Sequence, residues 1–242
     1  MKRILFLLVG LLSITAQAQE NESILFISPN YSYQFPIADM KVLYGNNSLV
    51  GLDITKVSEQ NIVYGLSGHF LFSSNVKDTT MLDHMMDENR NIIDQNGQIA
   101  DVLLQERGFS LSAKLGYFYP LKGKSSGLLT YGSLGFLQHK TRIDVRNSSV
   151  PQLDENDLKM YDQLSNGLSA SAFAGYMHIS EKNHAHVYAG IELTRGFTQN
   201  RRDYNYSTGG AITTPRNDSF VGLKFGWIIP ISKRTTTEYY YY

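Results

Sequence analysis

The stretch Val221-Gly222-Leu223-Lys224-Phe225-Gly226-Trp227-Ile228-Ile229 alternates with period two. Val221, Leu223, Phe225, Trp227 and Ile229 share one face, and Gly222, Lys224 and Gly226 share the other. Such alternation marks a strand whose two sides meet different surroundings. The pattern recurs upstream. Ile62, Tyr64, Leu66, Phe70 and Phe72 oppose Gly65, Ser67, His69 and Ser73, while Phe109, Leu111, Ala113, Leu115 and Tyr117 oppose Ser110, Ser112, Lys114 and Gly116.

Extended outward from these segments, the pattern predicts eight strands, at 23–34, 48–56, 62–73, 102–118, 128–143, 167–179, 185–197 and 219–231. Strands one, five and six are apolar on both faces in places. The connectors alternate in length: 35–47, 74–101, 144–166 and 198–218 are long, and 57–61, 119–127 and 180–184 are short. All long connectors therefore fall at one end, and the short ones share the other end with both termini. A soluble barrel has no reason to sort its loops this way. The fold class expected is all-β, an eight-stranded antiparallel up-and-down transmembrane β-barrel with turns in the periplasm and loops outside.

Residues 1–18 read as a signal peptide for the Sec pathway. Lys2 and Arg3 form its charged start, Ile4 to Leu12 its apolar stretch, and Ala16-Gln17-Ala18 its cleavage site. That apolar stretch is shorter than the roughly 20 residues a spanning helix needs. Residues 19–234 are then the barrel and 235–242 a tyrosine-rich periplasmic tail. The whole chain balances 22 basic against 22 acidic side chains, and losing Lys2 and Arg3 leaves it slightly acidic, which gives no reason to expect a nucleic-acid partner. With no cysteine, barrel closure and burial must hold the fold together.

The chain holds 16 Tyr and 12 Phe. Tyr31, Tyr33, Tyr44, Tyr117, Tyr119, Tyr188 and Trp227 lie in or near the strands, where aromatic belts at the headgroup level would place them. Glycines inside strands permit sharp coiling and leave room for large neighbours. Together with the signal peptide and the eight strands, Tyr131-Gly132-Ser133-Leu134-Gly135-Phe136 and Leu223-Lys224-Phe225-Gly226-Trp227 resemble the small outer-membrane β-barrel proteins of Bacteroidota. The resemblance implies the fold and the cell outer membrane as location, and it carries no functional residues. Such barrels often end on the aromatic residue of the last strand, whereas here Lys233, Arg234 and the Tyr239–Tyr242 run follow it.

Alternation places Asp53, His69, Lys114, Glu192 and Lys224 inside. An eight-stranded barrel is just wide enough for side chains to fill, so inward charges must pair. The expected candidate site is a lumen ion-pair network of Asp53 and Glu192 with Lys114 and Lys224. It would serve as structural filler or, as a sharper reading, as a gate. No G-x-S-x-G elbow is present. His69 beside Ser67 and Ser73, His139, His178, His184 and His186 read as satisfied lumen or surface histidines. Asp83-His84 is a weak acid–histidine pair. The spacings of His178, His184 and His186, and of Asp83, Asp87, Asp94 and Asp101, match no metal signature. No cofactor is expected.

Met81, Leu82, Met85, Met86, Ile92 and Ile93 suggest a short amphipathic helix over the barrel mouth, or a surface displayed to a partner. Arg201-Arg202 with Tyr204 and Tyr206 offers a second surface, for lipid phosphates or a protein. Lys233 and Arg234 would mark the periplasmic exit, and Tyr239–Tyr242 a contact for the barrel assembly machinery or a periplasmic partner. The function expected is that of an integral outer-membrane protein, not an enzyme, with a packed lumen and a structural or interaction role. A narrow porin-like channel for ions or small solutes and a lipid-modifying enzyme are the alternatives. A soluble lipocalin-like barrel would need the inverse pattern, apolar inside and polar outside.

Overall fold

Alternation of this kind becomes a closed ring in the computed structural model of the chain, which describes residues 23–122, 126–154, 157–180 and 186–231. The signal peptide at 1–18, His184, Lys233, Arg234 and the tail at 235–242 lie outside the described residues. The strands are β1 (Ile24–Ala38), β2 (Asn47–Val57), β3 (Ile62–Ser73), β4 (Asp101–Lys122), β5 (Ser126–Arg146), β6 (Ser165–His178), β7 (Val187–Asn200) and β8 (Arg216–Trp227). Each is antiparallel to the next, and β8 returns to pair with β1. After the buried Ile228 a two-residue β9 (Ile229–Pro230) continues along β1.

The ring is sheared. One cross-strand row runs from Ile27 through Ile54, Leu66, Ala113, Leu134, Ala170, Arg195 and Ser219, and rejoins β1 at Ile37, ten residues above its start. Such a stagger is what tilts strands enough to close a small barrel. The faces follow the sequence parity. Leu66, Leu111, Leu115, Leu134, Leu168, Leu223 and Trp227 point outward, with Leu134 at 72% and Leu168 at 73% exposure. Ser28, Asp53, Lys114, Glu192 and Lys224 point inward and are buried.

The strand limits depart from the sequence reading mainly in β4 and β5, which pair from Asp101↔Arg146 to Lys122↔Ser126 and outrun their neighbours. The two strands thereby take up the expected short connector at 119–127 except for 123–125, which lie outside the described residues. Above the ring, Val102, Leu104, Ile143 and Val145 of this ribbon back a cluster of loop residues. The first connector is also shorter than expected, because β1 extends to Ala38. There a positive φ of 52° turns the chain into the short helix α1 (Asp39–Leu43).

Two apolar clusters close the lumen. Phe26, Val57, Val63, Phe118, Phe173 and Ile228 belong to the one at the turn end. Met40 and Tyr44 pack with Leu49, Leu71, Leu137 and Phe220 at the loop end. Two tyrosines assigned to the aromatic belt are therefore corrected: Tyr44 is fully buried under α1, and Tyr188 is 2% exposed and points inward from β7. The second connector is corrected as well. Thr80–Met85 forms a 3₁₀ turn rather than an α-helix. Its Met81 and Leu82 pack with Ile92, Ile143, Leu153 and Tyr161 in the cluster on the β4–β5 ribbon, so the lumen itself is capped by α1.

Candidate functional site

Five strands send the lumen charges to one level. From β2, Asp53 is fully buried and accepts a hydrogen bond from Lys114 Nζ of β4 at 2.9 Å on Oδ2. Lys224 Nζ of β8 lies 3.5 Å from the same oxygen and 3.5 Å from Glu192 Oε1 of β7. His69 Nε2 of β3 stands 3.3 Å from Asp53 Oδ1. All four residues of the expected network thus lie in one linked cluster, with Asp53 and Lys224 as its hubs.

Two members were not anticipated. Tyr188 donates its hydroxyl to Asp53 Oδ2 at 3.1 Å, and Tyr131 accepts from Lys224 Nζ at 3.2 Å while its ring lies 5.0 Å from Lys114 Nζ. The parity that puts Glu192 inside puts Tyr188, four residues earlier on β7, inside as well. The Tyr188 ring needs space that a facing glycine provides, since an added Cβ at Gly226 would fall on it; at Gly116 an added Cβ would meet the backbone of Thr130 and Tyr131. The two carboxylates and two ammonium groups of the cluster balance in formal charge, and apolar side chains close it on its turn-end side. On the other side, Gln34, His69, Ser112, Ser133 and Thr194 line a cavity of about 40 Å³, enough for ordered water and too small for an organic solute.

A second polar layer sits nearer the loops. Asp218 Oδ2 is held by His139 Nε2 at 2.8 Å and by the Thr198 hydroxyl, and Oδ1 by Arg216 at 2.9 Å. Asn47 donates to Glu106 Oε2 at 3.2 Å, and Tyr44 shares a 2.9 Å hydrogen bond with Thr141. Asp218 was missed because the sequence reading ended its connector on that residue, one position before the strand expected to begin at 219.

The histidines and acidic loop residues singled out in the sequence meet separate partners among the described residues. His69 has no serine hydroxyl bonded to it. Asp83 pairs with Arg90 at 3.2 Å, while His84 meets the Tyr161 hydroxyl at 3.2 Å, so the two side chains of that dipeptide part company. His178 bonds Ser126 at 2.6 Å, and His186 accepts from the Ser180 amide at 3.1 Å. Asp87 and Asp94 each accept amide hydrogens two and four residues on, the latter from Asn96 and Gln98, which hold its carboxyl below the usual carboxylate range. No group of three or more His, Asp or Glu side chains among the described residues is placed to hold a metal.

The loops are locked together outside the ring. His84, Tyr161 and Tyr206, one from each of three connectors, stack nearly parallel with centroids 4.6–5.6 Å apart. Arg202 is pinned by Asp162, and Arg201 donates to Asn166 at 2.7 Å, so neither guanidinium is free. Burial, with Tyr206 beside it, pushes the Tyr161 hydroxyl up to about 12. A phenol held neutral in the folded state adds stability that is complete below the unfolded value near 10 and falls away as pH rises towards 12. The difference in near-ultraviolet circular dichroism between the wild type and Tyr161→Phe is therefore expected to be flat to pH 10 and to change between pH 10 and 12.

With this geometry in place, the class is an antiparallel eight-stranded barrel, apolar outside and polar inside. No protein-family model matches the chain, and no curated protein matches it in sequence. Among solved structures it is similar in shape to Neisserial surface protein A, at 10% identity over 85% of this chain and 96% of that one, with a TM-score of 0.45. It is also similar to the N-terminal β-barrel domain of Pseudomonas aeruginosa OprF, at 12% identity over 87% and 100%, TM-score 0.37. A third is the outer membrane protein OprG from the same organism, at 13% over 88% and 98%, TM-score 0.32. Similarity at this level goes no further than overall shape.

Proposed function

We propose that the protein is integral to a bacterial outer membrane, exported through the Sec pathway, and acts there by structure and contact rather than by catalysis or conduction. The observation that carries this reading is the exterior. Exposed Leu, Ile, Phe, Tyr and Trp side chains face outward from all eight strands, while the charges gather inside. In water such a belt would be an aggregation surface far beyond the few hundred Å² that monomers expose. In lipid it is the face a spanning barrel requires. A water-sized cavity closed by Phe26, Phe173 and Ile228 below and by Met40 and Tyr44 above supports a packed lumen over a channel. The interlocked connectors, which present Tyr204 and Tyr206 outward, are the surface we assign to a partner or to neighbouring cells.

Membrane fractionation tests the first half of this reading. Recovery in the outer membrane, with a folded band that shifts on boiling, is expected; recovery as a soluble periplasmic protein would overturn it. The second half is tested in planar bilayers, where the wild type is expected to pass no steady current. A reproducible single-channel conductance would make the narrow channel the better reading.

A further inference from the structure

One cation stands on the wrong side of the wall. Arg195 points outward from β7, between the outward Leu193 and Phe197, and is exposed. Among the described residues no carboxylate pairs with it, and its guanidinium carbon lies 5.1 Å from the centre of the Phe197 ring. Cations on the lipid face of a barrel cost about 2–4 kcal/mol at the midplane and about 0–1 near the interface. The sheared row places Arg195 high. The row climbs from Ile27 to Ile37 around the ring, and Arg195 is its β7 member, followed on that face by Phe197 before the strand ends at Asn200.

The same row lowers the wall beside it. Ala170 and Ser219 flank Arg195 directly, with Ala172 next to Leu193 one step below. Ile37, Leu193 and Arg195 stand around these small residues and enclose an outward depression of about 550 Å³. At its upper rim the Asp39 carboxylate accepts the Asn217 amide at 2.7 Å, and the Ser219 hydroxyl donates to Asn217 at 2.9 Å. The depression therefore has an apolar floor, a rim carboxylate already engaged by the Asn217 amide, and a guanidinium that no carboxylate among the described residues pairs with.

We infer that this depression binds a phosphorylated lipid of the outer leaflet, its phosphate on Arg195 and an acyl chain along Ala170 and Ala172. The inference rests on the membrane reading above. Charge complementarity selects the headgroup, because a planar guanidinium forks onto phosphate oxygens. The position selects the leaflet, because the site lies at the loop end of the belt. It also differs from the sequence reading, which offered Arg201 and Arg202 to lipid phosphates or to a protein; both are engaged by this chain's own side chains.

The test uses the protein purified from membranes in non-ionic detergent, offered phosphorylated lipid A or the same lipid stripped of its phosphates. Bound lipid is counted by native mass spectrometry. The wild type is expected to retain the phosphorylated form about tenfold better than Arg195→Gln does, the size of one lost charge-assisted contact. Ala172→Phe, which fills the depression and keeps the charge, is expected to lose both lipids, and Arg201→Gln to match the wild type. Equal retention by the wild type and Arg195→Gln, or no preference for the phosphorylated form, would overturn the site. A heat-shifting barrel with no such preference sinks this inference alone, whereas a chain recovered as soluble sinks the membrane reading beneath it.

Discussion

Replacing Lys224 with methionine is expected to lower the stability of the folded barrel by roughly 3–5 kcal/mol, the range for removing one partner from a buried ion pair. Lys224 is 2% exposed and is the cation shared by Asp53 and Glu192. Without it Glu192 has no cation in contact, and fully buried Asp53 keeps only Lys114, His69 and the Tyr188 hydroxyl. The measurement is a urea titration of the heat-shifting band. Removing the opposing charge at the same time, as in Lys224→Met with Glu192→Gln, is expected to restore much of the loss, because an uncharged pair leaves no orphan ion. A single-variant loss under 1 kcal/mol would mean that water reaches the cluster and solvates it.

The second large effect belongs to a residue with no side chain. Gly226→Val is expected to abolish the folded band or cost about 1–3 kcal/mol at the least, because any Cβ there meets the Tyr188 ring. That ring cannot retreat freely: its hydroxyl is bonded to Asp53, and it packs edge-on against Phe173 at a centroid distance of 5.8 Å. Gly132→Ala is the control, since the nearest atom to its new Cβ is 3.8 Å away. If both variants fold alike, the close packing of the lumen is not what holds this end of the barrel.

What the sequence carried and what it withheld have physical reasons. The faces of β3, β4 and β8 were readable because lipid on one side and a narrow lumen on the other impose opposite chemistry at alternate residues, and Lys114 and Lys224 sit between plainly apolar neighbours. Asp53, Lys114, Glu192 and Lys224 could be placed inside by parity alone; which oxygen meets which nitrogen depends on strand shear, and one row of register is invisible without pairing. Tyr188 was misplaced because an aromatic near a strand end suits both a belt and a plug, and only its parity with Glu192 separates the two. Met40 and Tyr44 carried a helical i, i+4 spacing, but on a single turn too short to stand out from a polar connector. The expected fifth strand stopped at Ile143 although Arg142-Ile143-Asp144-Val145-Arg146 goes on alternating: its charges fall on the side that is apolar lower down, because a ribbon standing above the ring meets different surroundings on its two faces.

The row that leaves β1 at Ile27 and comes back to it at Ile37 has a kinetic consequence. The first strand made and the last are neighbours, so the ring is finished only when chain ends about two hundred residues apart are brought into register, and loop-closure entropy makes that the late and slow event. Until then β1 and β8 are both open edges, and Asp53 on the second strand, which Lys114 of β4 can already meet, lacks the second cation that the last strand carries. The last ladder of backbone hydrogen bonds and the second cation of Asp53 therefore arrive together, when β8 closes on β1.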